Sequence, residues 1–418
     1  MGTGLRPRLA CEVRPHSIVA ARSDDAAGII AAVSSSILPA GALVPGLRMG
    51  NIADRANFIT ALQRALDPLS GKTRDITLIV PDSTARVLLL DFDSLPSRAS
   101  EALPVVRFRL KKLLPFEADD ASVSYQVMSS EKNLVRVVAA AMPREVIDEY
   151  ELAVRDAGYE PGAILPSTLA SLTLLHARAA SEHASLIVNA NQYAITTAIV
   201  RSGVLLLHRT LDFTAEVPTL AEIRAEESAI EPEAAAPAAI PIFANDLNPA
   251  PPVVTDYVEP LPTWELAHPH NEPENTLAEQ DEAHLSPHPT DTFDGSPIAA
   301  AAAMQADQLR HEIEQEALAA ANAAGEAITA DVAQAVSIAA AYFEDTLNAA
   351  PSQILSAGTM DAQTLQSILV EAGFGDILLQ VREIVPASLL HADAASAAVP
   401  RSLLAGVAGA LATGDAQS

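Results

Sequence analysis

Short aliphatic runs bounded by Pro, Gly and Asp alternate along this chain with stretches whose apolar residues recur at three- and four-residue spacing. That alternation predicts mixed strands and helices. Thr77 to Val80 and Arg86 to Phe92 read as two strands, closed off by Pro81-Asp82 and by Ser94 to Pro96. Leu103, Val106, Leu110, Leu113 and Leu114 then share one helical stripe. Arg107, Lys111 and Lys112 lie off it, and Pro104 limits where the helix can begin. Strands are expected at Ala121 to Met128 and Leu134 to Ala141, followed by a helix from Pro143 to Ala157 that Gly158 stops. Leu186 to Val188, Ala194 to Val200 and Val204 to Leu211 read as a meander with Ser202-Gly203 as its turn.

The pattern breaks between Glu216 and Pro297. This segment holds 17 acidic residues against one basic residue, Arg224, and 14 of the chain's 29 prolines. Proline removes backbone donors, like charges repel, and little apolar surface offsets chain entropy, so a disordered acidic insertion is expected over residues 216–300. Periodicity resumes in an Ala-rich helical region, roughly Met304 to Leu347, too irregular for a sustained heptad. A strand at Gln353 to Leu355, a loop at Ser356 to Thr359 and a helix from Asp361 to Glu371 follow, with Asp361 as its N-cap. A strand near Ile377 to Glu383 and a packed apolar helix within Ser402 to Ala412 complete the reading.

Charge and cysteine content narrow the function classes. A length of 418 residues implies two or three domains, and 49% hydrophobic residues can fill large cores. A formal net charge of −27 argues against general nucleic-acid binding, which needs clustered cations. The insertion carries 16 of those 27 charges, so the remainder is only modestly acidic. Cys11 is the only cysteine, which rules out an intramolecular disulfide and thiolate clusters. The opening residues MGTGLRPRLACEV lack an apolar run of secretory length, and no stretch is apolar enough for a spanning helix. Membrane association is therefore expected only through a partner.

Pro81 to Gln126 reads PDSTARVLLLDFDSLPSRASEALPVVRFRLKKLLPFEADDASVSYQ. The strand ending in LDFDSLP, the basic helix VRFRLKKLLPFE and the returning strand ASVSYQV resemble a signature segment of the PilM family of bacterial pilus assembly proteins. The resemblance extends over about Leu5 to Phe213 and Val332 to Leu411, including RSGVLLLHRTL. It implies an α/β, actin-like (ribonuclease-H-like duplicated) fold with a small inserted α/β subdomain. The implied layout is a first domain over 1–180 with that subdomain at about 77–142. A second domain starts at 181–215 and resumes at 301–418 after the insertion. The implied role is a cytoplasmic scaffold of type IV pilus assembly, peripheral to the inner membrane through its partner. That partner would be the short cytoplasmic N-terminal segment of a membrane-anchored pilus protein, with other machine components as further contacts. Alternatives are an ATP-binding switch in the same machine and a polymer-forming actin-like cytoskeletal or division protein.

An actin-like ATPase brings glycine-containing hairpins against phosphates and uses aspartates to hold hydrated magnesium. The matching positions here differ. In the first hairpin, Leu9 to Ser23, Arg14, Pro15 and His16 stand where the family usually has Asp, Gly and small hydroxyl residues. Glu12 supplies a carboxylate there, but proline lacks an amide donor. The second hairpin, Ser185 to Leu211, reads Asn189-Ala190-Asn191 where the family has an aspartate followed shortly by glycine. The third element retains Gly358 but has Ala357 beside it. These changes imply a degenerate nucleotide site without turnover and no required cofactor, with ATP and magnesium left only if unusual ligands retain them.

Arg107, Arg109, Lys111 and Lys112 form the densest basic cluster in a chain with four lysines, and read as a partner-binding helix face or a solvated one. His268, His270, His284 and His288 lie in the proline-rich insertion, where a helical metal site is disfavoured, and no metal is expected.

Overall fold

In the computed structural model the described residues are 7–24, 28–176, 184–191, 193–213, 325–349, 351, 353–374, 380–392 and 399–412, all within one compact unit. The insertion expected over residues 216–300, its four histidines and the part of the expected helical region before residue 325 lie outside them.

Two five-stranded sheets share one topology. The first comprises β1 (Leu9–Arg14), β2 (Ser17–Ser23), β3 (Ile30–Ile37), β4 (Asp75–Val80) and β8 (Glu160–Pro166), in the spatial order β3-β2-β1-β4-β8. The second comprises β9 (Ser185–Ala190), β10 (Ala194–Arg201), β11 (Val204–Asp212), β12 (Gln353–Gly358) and β13 (Gln380–Glu383), in the order β11-β10-β9-β12-β13. Each begins with an antiparallel three-stranded meander and adds two parallel strands beside its first strand. Helices recur at matching connections. α1 (Arg55–Ser70) follows β3, and α5 (residues 325–347) precedes β12. α3 (Arg144–Asp156) precedes β8, and α6 (Ala362–Glu371) precedes β13. α4 (Ser167–His176) and α7 (Ala405–Leu411) follow the last strand of each half. The molecule is thus an internal duplication.

Local chemistry explains many element ends. Asp54 and Asp361 cap α1 and α6, accepting from Asn57 N at 3.1 Å and Thr364 N at 2.7 Å. Ser202 and Gly203 turn β10 into β11 with φ of 52° and 76°, the conformation a two-residue hairpin requires.

Between β4 and α3 sits a three-stranded sheet of β5 (Arg86–Phe92), β6 (Ala121–Glu131) and β7 (Leu134–Pro143), ordered β5-β7-β6. α2 (Ala99–Leu110) packs on it through Ala102, Val106 and Leu110. Three particulars differ from the sequence reading. β4, inside the expected subdomain span of 77–142, belongs to the first five-stranded sheet, pairing with β1 and β8, so the inserted sheet starts at Arg86. α2 begins at Ala99, ahead of Pro104, and ends at Leu110, which leaves Leu113 half exposed in the following turn instead of on the buried stripe. β12 continues through the expected loop to Gly358, because Ser356, Ala357 and Gly358 remain in register with β9. Of the expected strand near Ile377 to Glu383, Gln380 to Glu383 form β13 and residues 377–379 lie outside the described residues.

Helices α1 and α3 cover the outer face of the first sheet, and α5 and α6 that of the second. α4 and α7 share a third core with Ala10, Val19, Ala21 and Ile79 of the first sheet and Ile187, Ala198 and Leu355 of the second. α7 is buried along its whole length. Two glycines permit this. A Cβ at Gly409 would overlap the carbonyl oxygen of Ala170, and one at Gly406 would stand 2.7 Å from Cδ of Glu12. The Thr173 hydroxyl donates to the Gly409 carbonyl, tying α4 to α7.

Candidate functional site

Side-chain alternation along a strand decides what faces this central core. Ala10 and Glu12 share the inner face of β1, as Ile187 and Asn189 share that of β9, while Cys11 and Val188 point to the outer cores. Glu12 and Asn189 therefore end equivalent strands of the two halves on facing surfaces. α4 starts between them, and its first two residues, Ser167 and Thr168, supply hydroxyls. Asp82, in the turn after β4, supplies a second carboxylate.

These groups form one buried polar network. Ser167 Oγ donates to Glu12 Oε1 at 2.6 Å, and Thr168 Oγ1 donates to Asp82 Oδ2, whose Oδ1 accepts from Thr168 N at 2.9 Å. Asn189 Nδ2 lies 3.0 Å from Ser167 Oγ, 2.9 Å from Thr168 Oγ1 and 3.4 Å from Asp82 Oδ2. Arg14 is folded back from the hairpin turn, with Nη2 2.9 Å from Glu12 Oε2 in an ion pair without hydrogen-bond alignment. The same nitrogen donates to the Leu403 carbonyl at 3.0 Å. Glu12 and Arg14 are 1% and 4% exposed, so each charge depends on the other. Near Asp82, burial lowers the pKa of His208, partly countered by the Asp82 charge. His208 Nε2 has no hydrogen-bond partner among the described residues.

The positions named from sequence separate here. Glu12, Arg14 and Asn189 come together. Gly358 borders them, since a Cβ there would lie 2.6 Å from Asn189 Oδ1 and overlap the Ala190 carbonyl oxygen; strand proximity explains this glycine. Asn191 has a local role, accepting from Tyr193 N at 2.8 Å and Ala194 N at 2.9 Å in the β9–β10 turn. His16 is exposed at the tip of the first hairpin. Ser167, Thr168 and Asp82 were not among the expected site residues, although Pro166-Ser167-Thr168 carries a helix-start signal.

Chemically, most of the network is satisfied from within the protein, while Glu12 Oε2 and Arg14 Nε have no hydrogen-bond partner among the described residues. A phosphate site needs backbone amides at the first turn, where Pro15 has none. A metal site needs carboxylate oxygens with free coordination positions. Glu12 Oε1 and both oxygens of Asp82 each accept a hydrogen bond from α4, and Glu12 Oε2 meets Arg14 as an ion pair only. Among the described residues no group of three or more potential metal ligands occurs.

The basic helix divides in two. Arg107 donates to the carbonyls of Ala118 at 2.7 Å and Ala121 at 3.0 Å, and Lys111 pairs with Asp119 at 2.6 Å. Arg109 and Lys112 are exposed and make no ion pair among the described residues. Phe108, 68% exposed, projects beside them with Val105 and Leu113.

No family model matches this chain, and no curated protein matches it. Solved structures do. The PilM–PilN type IV pilus biogenesis complex matches with a TM-score of 0.57 at 14% identity, covering 97% of this chain and 98% of that one. Ethanolamine utilization protein EutJ from Carboxydothermus hydrogenoformans gives a TM-score of 0.38 at 11% identity over 98% and 91%. The cytoplasmic domain of EpsL, an inner membrane component of the Vibrio cholerae type II secretion system, gives 0.31 at 10% over 49% and 70%. The duplicated sheets and the match over nearly the whole length agree: this chain has the actin-like fold of the chain solved in the PilM–PilN complex.

Proposed function

We propose that this protein is a scaffold of a type IV pilus assembly machine that binds the short cytoplasmic segment of a PilN-type membrane protein and does so without nucleotide. The observation that carries the reading is the likeness in fold to the chain of the PilM–PilN complex over 97% of the sequence. The network supports the second half, because Arg14 lies against Glu12 as a counter-charge and Asn189 bonds the hydroxyls that open α4, in place of phosphate and metal.

The segment would meet the exposed face of α2, where Arg109 and Lys112 offer unpaired cations and Phe108 an apolar anchor. Arg107 and Lys111 serve the fold of the inserted sheet and stand behind that face. No helix of the described residues is long and apolar enough to cross a membrane, so attachment to the inner membrane would run through the partner.

Calorimetric titration with the cytoplasmic N-terminal peptide of a PilN-type protein from the same organism, with and without magnesium-ATP, tests the reading. Equal affinity in both conditions is the expected result. Absence of binding in both overturns the scaffold role, and binding only with ATP makes the protein a switch.

A further inference from the structure

Asn189 meets its neighbours through a chemistry that an amide supplies and a carboxylate does not. Each hydroxyl has one hydrogen, and both are committed: Ser167 Oγ to Glu12, Thr168 Oγ1 to Asp82. Both hydroxyls therefore turn lone pairs toward residue 189. Nδ2, with two hydrogens, answers them at 3.0 Å and 2.9 Å. A carboxylate in the same place would only accept. It would face two lone-pair donors of no use to it, with Asp82 Oδ2 3.4 Å from the position of the present nitrogen and Glu12 one hydroxyl away. Such a set of oxygens closes around a cation or a shared proton. The cation nearest Glu12, Arg14, is already held by Glu12 and by the Leu403 carbonyl.

The network also crosses the duplication. Glu12, Asp82, Ser167 and Thr168 belong to the first half, Asn189 to the second, and Leu403 to the segment leading into α7. We propose that Asn189 is a clasp between the halves: its amide, with Arg14 as built-in counter-ion to Glu12, takes the place of a bound divalent cation and holds the halves together without a ligand. This deepens the nucleotide-independent reading above and rests on it.

The test is Asn189→Asp, melted with and without about 10 mM magnesium chloride beside the wild-type protein. The wild-type Tm is expected to be indifferent to magnesium. The variant should melt roughly 5–10 °C lower, reflecting lost buried hydrogen bonds and added repulsion. Magnesium should return at least half of that fall, because the new carboxylate completes a cation site with Asp82. A purely structural role for Asn189 gives the fall without the rescue. An unchanged Tm, a fall that magnesium does not relieve, or a wild-type Tm raised as much as that of the variant overturns the clasp. If Asn189→Asp does not fold, Ser167→Ala decides. It should speed amide exchange in both β1 and β9 by about tenfold, and exchange unchanged in β9 overturns the proposal. A parallel ATP titration of the wild-type protein separates the two ideas. Saturable ATP binding would overturn the nucleotide-independent reading, whatever the magnesium melts say of the clasp.

Discussion

Replacing Gly409 by alanine sets two effects of opposite sign against each other. In a free helix the change is favourable by about 1 kcal/mol, since glycine is the poorer helix former. In this molecule the new methyl would overlap the Ala170 carbonyl oxygen and stand 2.7 Å from its carbon and 2.9 Å from Thr173 Oγ1. Ala170 is 0% exposed and its carbonyl belongs to the helix backbone, so α4 cannot yield locally. The helices must separate, which strains the Thr173–Gly409 hydrogen bond, about 1 kcal/mol, and adds an overpacking cost of about 1–3 kcal/mol. Loss exceeds gain by roughly 2 kcal/mol, or a Tm lower by about 4–8 °C. Thermal melting by circular dichroism reads it, with Gly325→Ala in α5 as control because its Cβ meets nothing within 4 Å. A Gly409→Ala protein as stable as the wild type, or more so, refutes the close packing of α4 on α7.

Further outcomes follow from other contacts. Arg107→Ala should destabilise by about 1–3 kcal/mol in urea unfolding, because two carbonyls lose a charged donor, whereas Arg109→Glu with Lys112→Glu should leave the midpoint unchanged and weaken peptide binding at least about tenfold; the reverse pattern would sink the division of α2 into structural and binding cations. Cys11 is fully buried and burial pushes its thiol pKa well up, so a thiol reagent should label it only after denaturation; stoichiometric labelling of the native protein within minutes contradicts this. Burial lowers the His208 pKa, so on acidification the unfolded chain takes up that proton first, and the stability present above about pH 6.5 is lost as pH falls toward the folded value. The Tm advantage of wild type over His208→Gln should accordingly shrink between pH 8 and 5.5; a constant difference would show that His208 keeps its ordinary titration.

Local signals carried the parts of the fold that depend on neighbours in sequence. The β9–β11 meander, the Asp361 cap and the α3 boundaries are written in alternation, turn dipeptides and caps, all within a few residues. Long-range register was less visible. β12 runs three residues beyond its aliphatic core because pairing with β9 keeps Ser356 to Gly358 extended, and no residue among those three is a strand former by habit. The site shows the same division. Glu12 and Asn189 could be placed by the hairpins that bear them, but Arg14 read as a turn residue, since nothing in the sequence says that its guanidinium finds a buried carboxylate two residues back. Ser167 and Thr168 lie more than 150 residues from Glu12 in one case and 86 from Asp82 in the other, distances that only the folded chain closes. The glycines of α7 looked like part of an apolar helix, and their reason is the approach of Glu12 and Ala170.

The position of α7 also dictates an order of events during synthesis. β1, β2, β4 and α4 are complete by His176, yet the apolar face they share is covered by a helix translated about 230 residues later. At bacterial and eukaryotic elongation rates of about 5–20 residues per second that interval is roughly 10–45 s, far longer than the collapse of a small chain. Through that interval the ribosome holds a half-molecule whose inner surface waits for α7, and a chain that stops short of Ala405 leaves that surface as a standing target for chaperones and for aggregation.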